Sequence, residues 1–197
     1  MRASTVLMIL SLAGAAEAQD RRSHPYVIRS SSMEPTLREG EFVMADRRPD
    51  DCGDVGGFGP GDVAVRLKEE TPHISRIIAG PGQTVEVRAG IPVIDGEAAT
   101  VAELGEAELG LTYGRRLQET LPNGRSYQTF RISGGAPNWL DDFPAIRLGA
   151  DEWFLMGDNR LNAVDSRIDG PVKTPDLCGR LVHIYASPDS ERLGPLR

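Results

Sequence analysis

The 197-residue chain is poor in lysine: Lys68 and Lys173 are the only two, and every other strong base is an arginine. Histidine is scarce as well, with His24, His73 and His183 scattered at no metal-ligand spacing. Cys52 and Cys178 are the only cysteines and form no C-x-x-C pattern, which excludes the redox and zinc motifs built on that spacing. No segment reaches the roughly 20 apolar residues that a membrane-crossing helix needs. A formal net charge of -7 argues against a nucleic-acid partner and gives no polybasic attraction to anionic lipid. The glycine-rich stretch 53–61 lacks the Lys-Ser/Thr end of a phosphate-binding loop. The pattern calls for no metal and no cofactor.

What is present reads as a turn-rich β protein. The apolar fraction is 40%, ordinary for one globular core, while 22 Gly and 14 Pro imply many turns and short strands. Runs of β-branched residues bounded by turn formers predict strands at 26–29, 41–45, 62–67, 73–78, 84–88, 91–94, 127–132, 146–148, 153–156 and 181–185. Ala89-Gly90 and Asp95-Gly96 look like hairpin ends. The Glu-, Ala- and Leu-rich stretch 100–116 predicts a helical turn or two. Residues 97–150 read as a β-rich insertion into a core made of 19–96 and 151–187, with 188–197 as a loose tail.

The N-terminus carries a short basic start at Arg2, an apolar run from Val6 to Leu12, and Ala16-Glu17-Ala18 before Gln19. That is the pattern of a secretory signal over residues 1–18; a short retained anchor is the alternative. Either way the rest of the chain is expected in an exported, oxidising compartment. There Cys52 and Cys178 can pair across a long loop, and two buried thiols are the alternative that spacing leaves open.

Three segments carry chemistry. Ser30-Ser31-Ser32-Met33-Glu34-Pro35-Thr36-Leu37 comes first. Gly61-Asp62-Val63-Ala64-Val65 and Ile74-Ser75-Arg76-Ile77-Ile78-Ala79-Gly80-Pro81-Gly82 follow. Gly157-Asp158-Asn159-Arg160, Asp165-Ser166-Arg167 and Gly170 complete the set. In type and order they resemble the boxes of the bacterial type I signal peptidases, whose nucleophile box is written S-x-S-M-x-P-T. The resemblance covers roughly residues 25 to 187 and includes the insertion segment 119–127. It implies coiled antiparallel sheets and a serine endopeptidase that cuts exported preproteins after small-x-small sites. The implied place is the outer face of the inner membrane or the periplasm, with the membrane surface as a neighbour.

Carried over residue by residue, the resemblance makes Ser32 the nucleophile and Ser30 an oxyanion-hole donor alongside the Ser32 N–H. A serine hydroxyl needs a base to become nucleophilic, and an oxyanion donor is typically worth about 10²–10³ in rate. Arg76, Asp165 and Arg167 are implied to form one structural ion-pair cluster. The base itself departs from the pattern. Ser75 stands where the family has its general-base lysine, and Ala163 where a serine orients that lysine; Asp169 replaces a tryptophan before Gly170. His73 is the candidate substitute base, because residues two apart on a strand share a face and imidazole titrates near neutrality. Asp158 is a candidate to orient it, and Lys68 is a weaker alternative across the hairpin turn. Two readings follow: a peptidase with altered or weakened catalysis, or a non-catalytic relative that binds peptides or an exported partner on the same scaffold.

Overall fold

The computed structural model describes residues 23–47, 52–54, 56–110, 112–133 and 139–196. The signal or anchor segment expected over 1–18 lies outside them. The first strands are β1 (His24–Val27) and β2 (Phe42–Ala45), joined through the turn that carries Ser30 to Leu37. β3 (Val63–Lys68) and β4 (Thr71–Ala79) form a hairpin with Val63 opposite Arg76 and Arg66 opposite His73. β5 (Thr84–Arg88), β6 (Ile91–Ile94) and β7 (Glu97–Ala98) make a meander. Its turns fall at Ala89-Gly90 and Asp95-Gly96, all at positive φ, as two-residue hairpins require. β8 (Thr100–Leu109), β9 (Thr112–Thr120) and β10 (Ser126–Ile132) follow, then β11 (Phe143–Arg147) and β12 (Glu152–Met156). One turn of helix, α1 (Ser166–Asp169), precedes β13 (Val172–Lys173), the long β14 (Leu177–Ala186) and β15 (Gly194–Pro195).

These strands form three antiparallel sheets, so the fold is mostly β. An eight-stranded sheet runs β1-β2-β14-β3-β4-β12-β13, with β15 on β14. A three-stranded sheet runs β10-β9-β8, and a four-stranded one runs β11-β5-β6-β7. The alternation of β3, β4 and β12 sends their side chains to two faces. One face of the β4–β12 pair holds Ile78, Phe154 and Met156 in a core shared with Val85, Val87 and Tyr127. The other carries Ile77 and Leu155 into a core with Ala64, Trp153, Val172 and Leu177. A third core gathers Met33 and Leu37 of the serine-bearing turn with Val43, Val63, Val65 and Leu181. The disulfide between Cys52 and Cys178 ties the segment after β2 to β14 across 126 residues.

Two expectations are corrected. The stretch 100–116 is not helical: β8 and β9 form a long hairpin, and nearly all of β8 is exposed. Cross-strand pairing overrides the local preference of Glu, Ala and Leu, which no buried face is present to reveal. The tail beyond Pro188 is not loose either. It turns at Ser190–Arg192 and adds β15 to β14, anchored by Arg192 on the buried Glu41 carboxylate (2.5 Å) and on the Thr36 carbonyl (2.8 Å). No helix among the described residues is long and apolar enough to cross a membrane.

Candidate active site

The turn after β1 presents Ser30 and Ser32 with their hydroxyls 3.1 Å apart. Met33 and Leu37 lie buried beneath it, which fixes the turn to the core. The Glu34–Pro35 peptide is cis. The segment after β12 holds the turn from the other side. Asn159 donates from its backbone N–H to the Ser32 carbonyl (3.0 Å) and from its side chain to the Ser31 carbonyl (3.1 Å). Asn162 adds a hydrogen bond to the Ser31 hydroxyl (2.8 Å). Among the described residues no carbonyl accepts from the Ser32 N–H. A free N–H beside a second hydroxyl is the donor pair that a developing oxyanion needs.

Gly157 is the point on which the site converges. Met156 pairs with Arg76 across β12 and β4, so the next residues along, Gly157 and Ser75, stand opposite each other and share a face. A Cβ on Gly157 would collide with the Ala163 methyl and sit 2.7 Å from the Ser32 carbonyl oxygen. Ser32, Ala163 and Ser75 are therefore gathered around one glycine, although 43 residues separate Ser32 from Ser75 and 88 separate Ser75 from Ala163. Ser75 and Ala163 are both buried.

Arg76 points to the opposite face of β4, by the alternation of the strand. There it makes a two-pronged pair with Asp158, at 2.8 and 2.6 Å, and donates to the Gly61 carbonyl at 2.6 Å. Burial disfavours its charge, but Asp158 more than offsets this and raises the pKa. Thr36 donates its hydroxyl to the same Asp158 carboxylate, so the serine-bearing turn is latched to the pair. Arg167 pairs with Asp165 at 2.6 Å, and Asp165 also accepts from the Gly157 N–H at 2.9 Å. The single cluster expected of Arg76, Asp165 and Arg167 is thus two pairs, because strand alternation sends Arg76 to Asp158.

His73 lies on the Ser75 face, half-buried, opposite Arg66. Burial first, then the Arg66 and Lys68 charges, push its imidazole below the usual histidine range, and Asp169 opposes them. Asp158 does not orient it, being fully engaged by Arg76 and Thr36 on the other face. Asp169 instead bridges Arg66 and Lys68, each at 2.8 Å, so Lys68 is held in an ion pair. Among the described residues no group of histidines, cysteines and carboxylates has metal-binding geometry.

The family model for signal peptidases, described as "Signal peptidase, peptidase S26", matches residues 2–186. The chain belongs to this peptidase family. It is 30% identical over 143 residues to "Signal peptidase I S" of Bacillus subtilis (strain 168), covering 73% of this chain and 65% of that protein. It is 27% identical over 164 residues to "Probable signal peptidase I-1" of Synechocystis sp., covering 80% and 68%. The chain thus spans about 65% of the first of these relatives. A crystal structure of a signal peptidase I from Enterococcus faecalis V583 aligns with 22% identity and a TM-score of 0.41, over 63% of this chain and 96% of that one.

Sequence reading missed several residues that build this candidate site. Asn159 and Asn162 fall in or beside a recognised box, yet nothing local says that their amides hold Ser31 and Ser32. Glu119 was also missed. Its buried carboxylate takes both arms of Arg160 at 2.7 Å and accepts from the Tyr127 hydroxyl, while Arg76 stacks 4.0 Å from the centre of the Tyr127 ring. Burial pushes the Tyr127 phenol well above its usual range, so it remains a donor. It stands in the segment 119–127 that the resemblance covers, just past the stretch expected to be helical, and nothing local marks it as the partner of Arg160.

Proposed function

We propose that this family member is a signal peptidase I-type serine endopeptidase with weakened catalysis, cutting exported preproteins after small-x-small sites. The supporting observation is the Ser30–Ser32 hydroxyl pair, held by Asn159 over Gly157 with the Ser32 N–H free. In this reading Ser32 Oγ attacks the scissile carbonyl. The Ser32 N–H and the Ser30 hydroxyl receive the negative charge. The C–N bond then breaks, the mature-side amine leaves with the proton taken from Ser32, and water hydrolyses the remaining acyl ester. The substrate lies extended alongside a strand, with its small residues in shallow pockets. The protein works at the outer face of the inner membrane or in the periplasm.

The proton of Ser32 passes to a base other than lysine. Ser75 occupies the lysine position of the family pattern and is far too weak a base. His73 stands two residues along the same face, about 6.6 Å away by strand geometry. Its lowered pKa leaves the imidazole neutral, with a free lone pair, at pH 7. It is the base we assign. A second reading, a peptide-binding relative without turnover, draws on the paired replacements at Ser75 and Ala163 around Gly157.

Cleavage of a preprotein bearing an Ala-x-Ala site separates the two. Wild type is expected to cut after the second alanine, and Ser32→Ala and His73→Ala are both expected to abolish turnover. Loss in Ser32→Ala alone would remove His73 from the mechanism. No cleavage by folded wild-type protein, with peptide binding unchanged in Ser32→Ala, would establish the second reading.

A further inference from the structure

The free edge of β10 lies against the turn that carries Ser32. In the β9–β10 hairpin the Leu121 N–H donates to the Arg125 carbonyl and the Ser133 N–H to the Tyr113 carbonyl. Odd-numbered residues of β10 therefore exchange hydrogen bonds with β9, and even-numbered ones turn their N–H and C=O outward. At Phe130 that outward edge is filled: its N–H donates to the Asp158 carbonyl (2.9 Å), and its carbonyl accepts from the Arg160 N–H (3.0 Å). The same segment, through Asn159, grips the Ser32 carbonyl. Two residues further along, the edge is open. The main-chain groups of Gln128 and Ser126 face a groove of about 630 Å³ lined by Pro35, Thr36, Ile184 and the tail residues Leu193 to Leu196.

The opposite wall cannot take a strand in the same way. The Leu196 N–H donates to the Val182 carbonyl, so Pro195 is the residue whose main chain faces the groove, and it has no N–H to offer. The groove thus has one strand-accepting wall, on β10. The next outward-facing residue of that wall, Phe130, is bonded to the segment that grips Ser32, and the groove floor, Pro35-Thr36, lies within four residues of Ser32 along the chain.

We propose that Ser126 and Gln128 form a docking edge for the mature-side segment of the polypeptide being cut, which adds to β10 as an extended strand beyond the scissile bond. The inference rests on the endopeptidase reading above and adds to it the path of the departing chain. An extended segment advances about 3.3 Å per residue, so the Ser126–Gln128 edge takes about three residues of an added strand. The contacts are main-chain, and so the docking is expected to tolerate many mature sequences.

The test uses the Ser32→Ala protein and two synthetic peptides, one ending at an Ala-x-Ala site and one continuing six residues beyond it. Two added main-chain hydrogen bonds predict about tenfold tighter binding of the longer peptide. Slowed hydrogen exchange at the Gln128 amide is expected with that peptide only. Gln128→Pro, which removes an N–H that β9 does not use, should bring the longer peptide down to the affinity of the shorter. N-methylation of the mature-side residues should do the same with the protein unaltered. Equal affinity for both peptides and an unchanged Gln128 amide would overturn the proposal while leaving the site at Ser32 intact. Binding of neither peptide would remove the endopeptidase reading along with it. Gln128 protection that depends on protein concentration alone would assign the edge to a second copy and overturn the proposal.

Discussion

Gly157 shows how a single residue governs this site. With no side chain, it lets the Ser32 carbonyl and the Ala163 methyl approach within a distance that any Cβ would occupy. The same closeness makes the two replacements at Ser75 and Ala163 chemically coupled, since both face that glycine. Introducing the missing pair together, as Ser75→Lys with Ala163→Ser, is expected to raise the preprotein cleavage rate by about 10²-fold or more, the usual range for a positioned general base. A rate no higher than wild type would show that these positions do not form the base site. The wild-type rate should carry the signature of His73. A base must be unprotonated to act, and burial with the Arg66 and Lys68 charges lowers the His73 pKa. The acid limb of kcat/KM is therefore expected below pH ~6.5, the usual histidine value, with a plateau through neutrality. In the Ser75→Lys, Ala163→Ser double variant that limb should move to higher pH, since an amine holds its proton more tightly than an imidazole.

At the scale of elements, the β3–β4 hairpin positions Ser75, Arg76 and His73, and its turn is poorly suited to its shape. Glu69 and Glu70 both sit at positive φ, 50° and 64°, where a two-residue hairpin turn favours Asn and Gly. A left-handed residue with a Cβ costs about 1–2 kcal/mol, so Glu70→Gly is expected to stabilise the fold by roughly 1 kcal/mol. A higher urea midpoint with unchanged slope would show it. The hairpins at Ala89-Gly90 and Asp95-Gly96 were legible in sequence because each ends in the glycine its turn requires. The β3–β4 turn has no such mark and was found only by the β-branched runs on either side. The β8 hairpin was not legible: its residues favour helix, and an exposed strand leaves no alternation to read.

Across the whole molecule, the second sheet is fastened to the first where the candidate site is built. Glu119 and Tyr127 meet Arg160 and Arg76, and Arg76 leads through Asp158 to Thr36 on the serine-bearing turn. Each link joins residues at least 40 positions apart in the chain, except Tyr127 with Glu119. That is why the boxes themselves could be read in the sequence while their wiring could not. A box such as Ser30 to Leu37 is a local turn with local residue demands. The pairing of Arg76 with Asp158 rather than with Asp165 is made by strand alternation and sheet order. The tail shows the same limit, since Arg192 finds Glu41 only once β14 has brought the two ends of the chain together.

The central claim is that Ser32 forms a covalent bond with its substrate. Mixing the protein with an Ala-x-Ala preprotein, quenching in acid and weighing the intact protein by mass spectrometry tests it directly. We predict an added mass equal to the acyl portion of the substrate, located on Ser32 and absent in Ser32→Ala. An unmodified mass under conditions where the substrate is bound, or an adduct that persists in Ser32→Ala, would contradict the account.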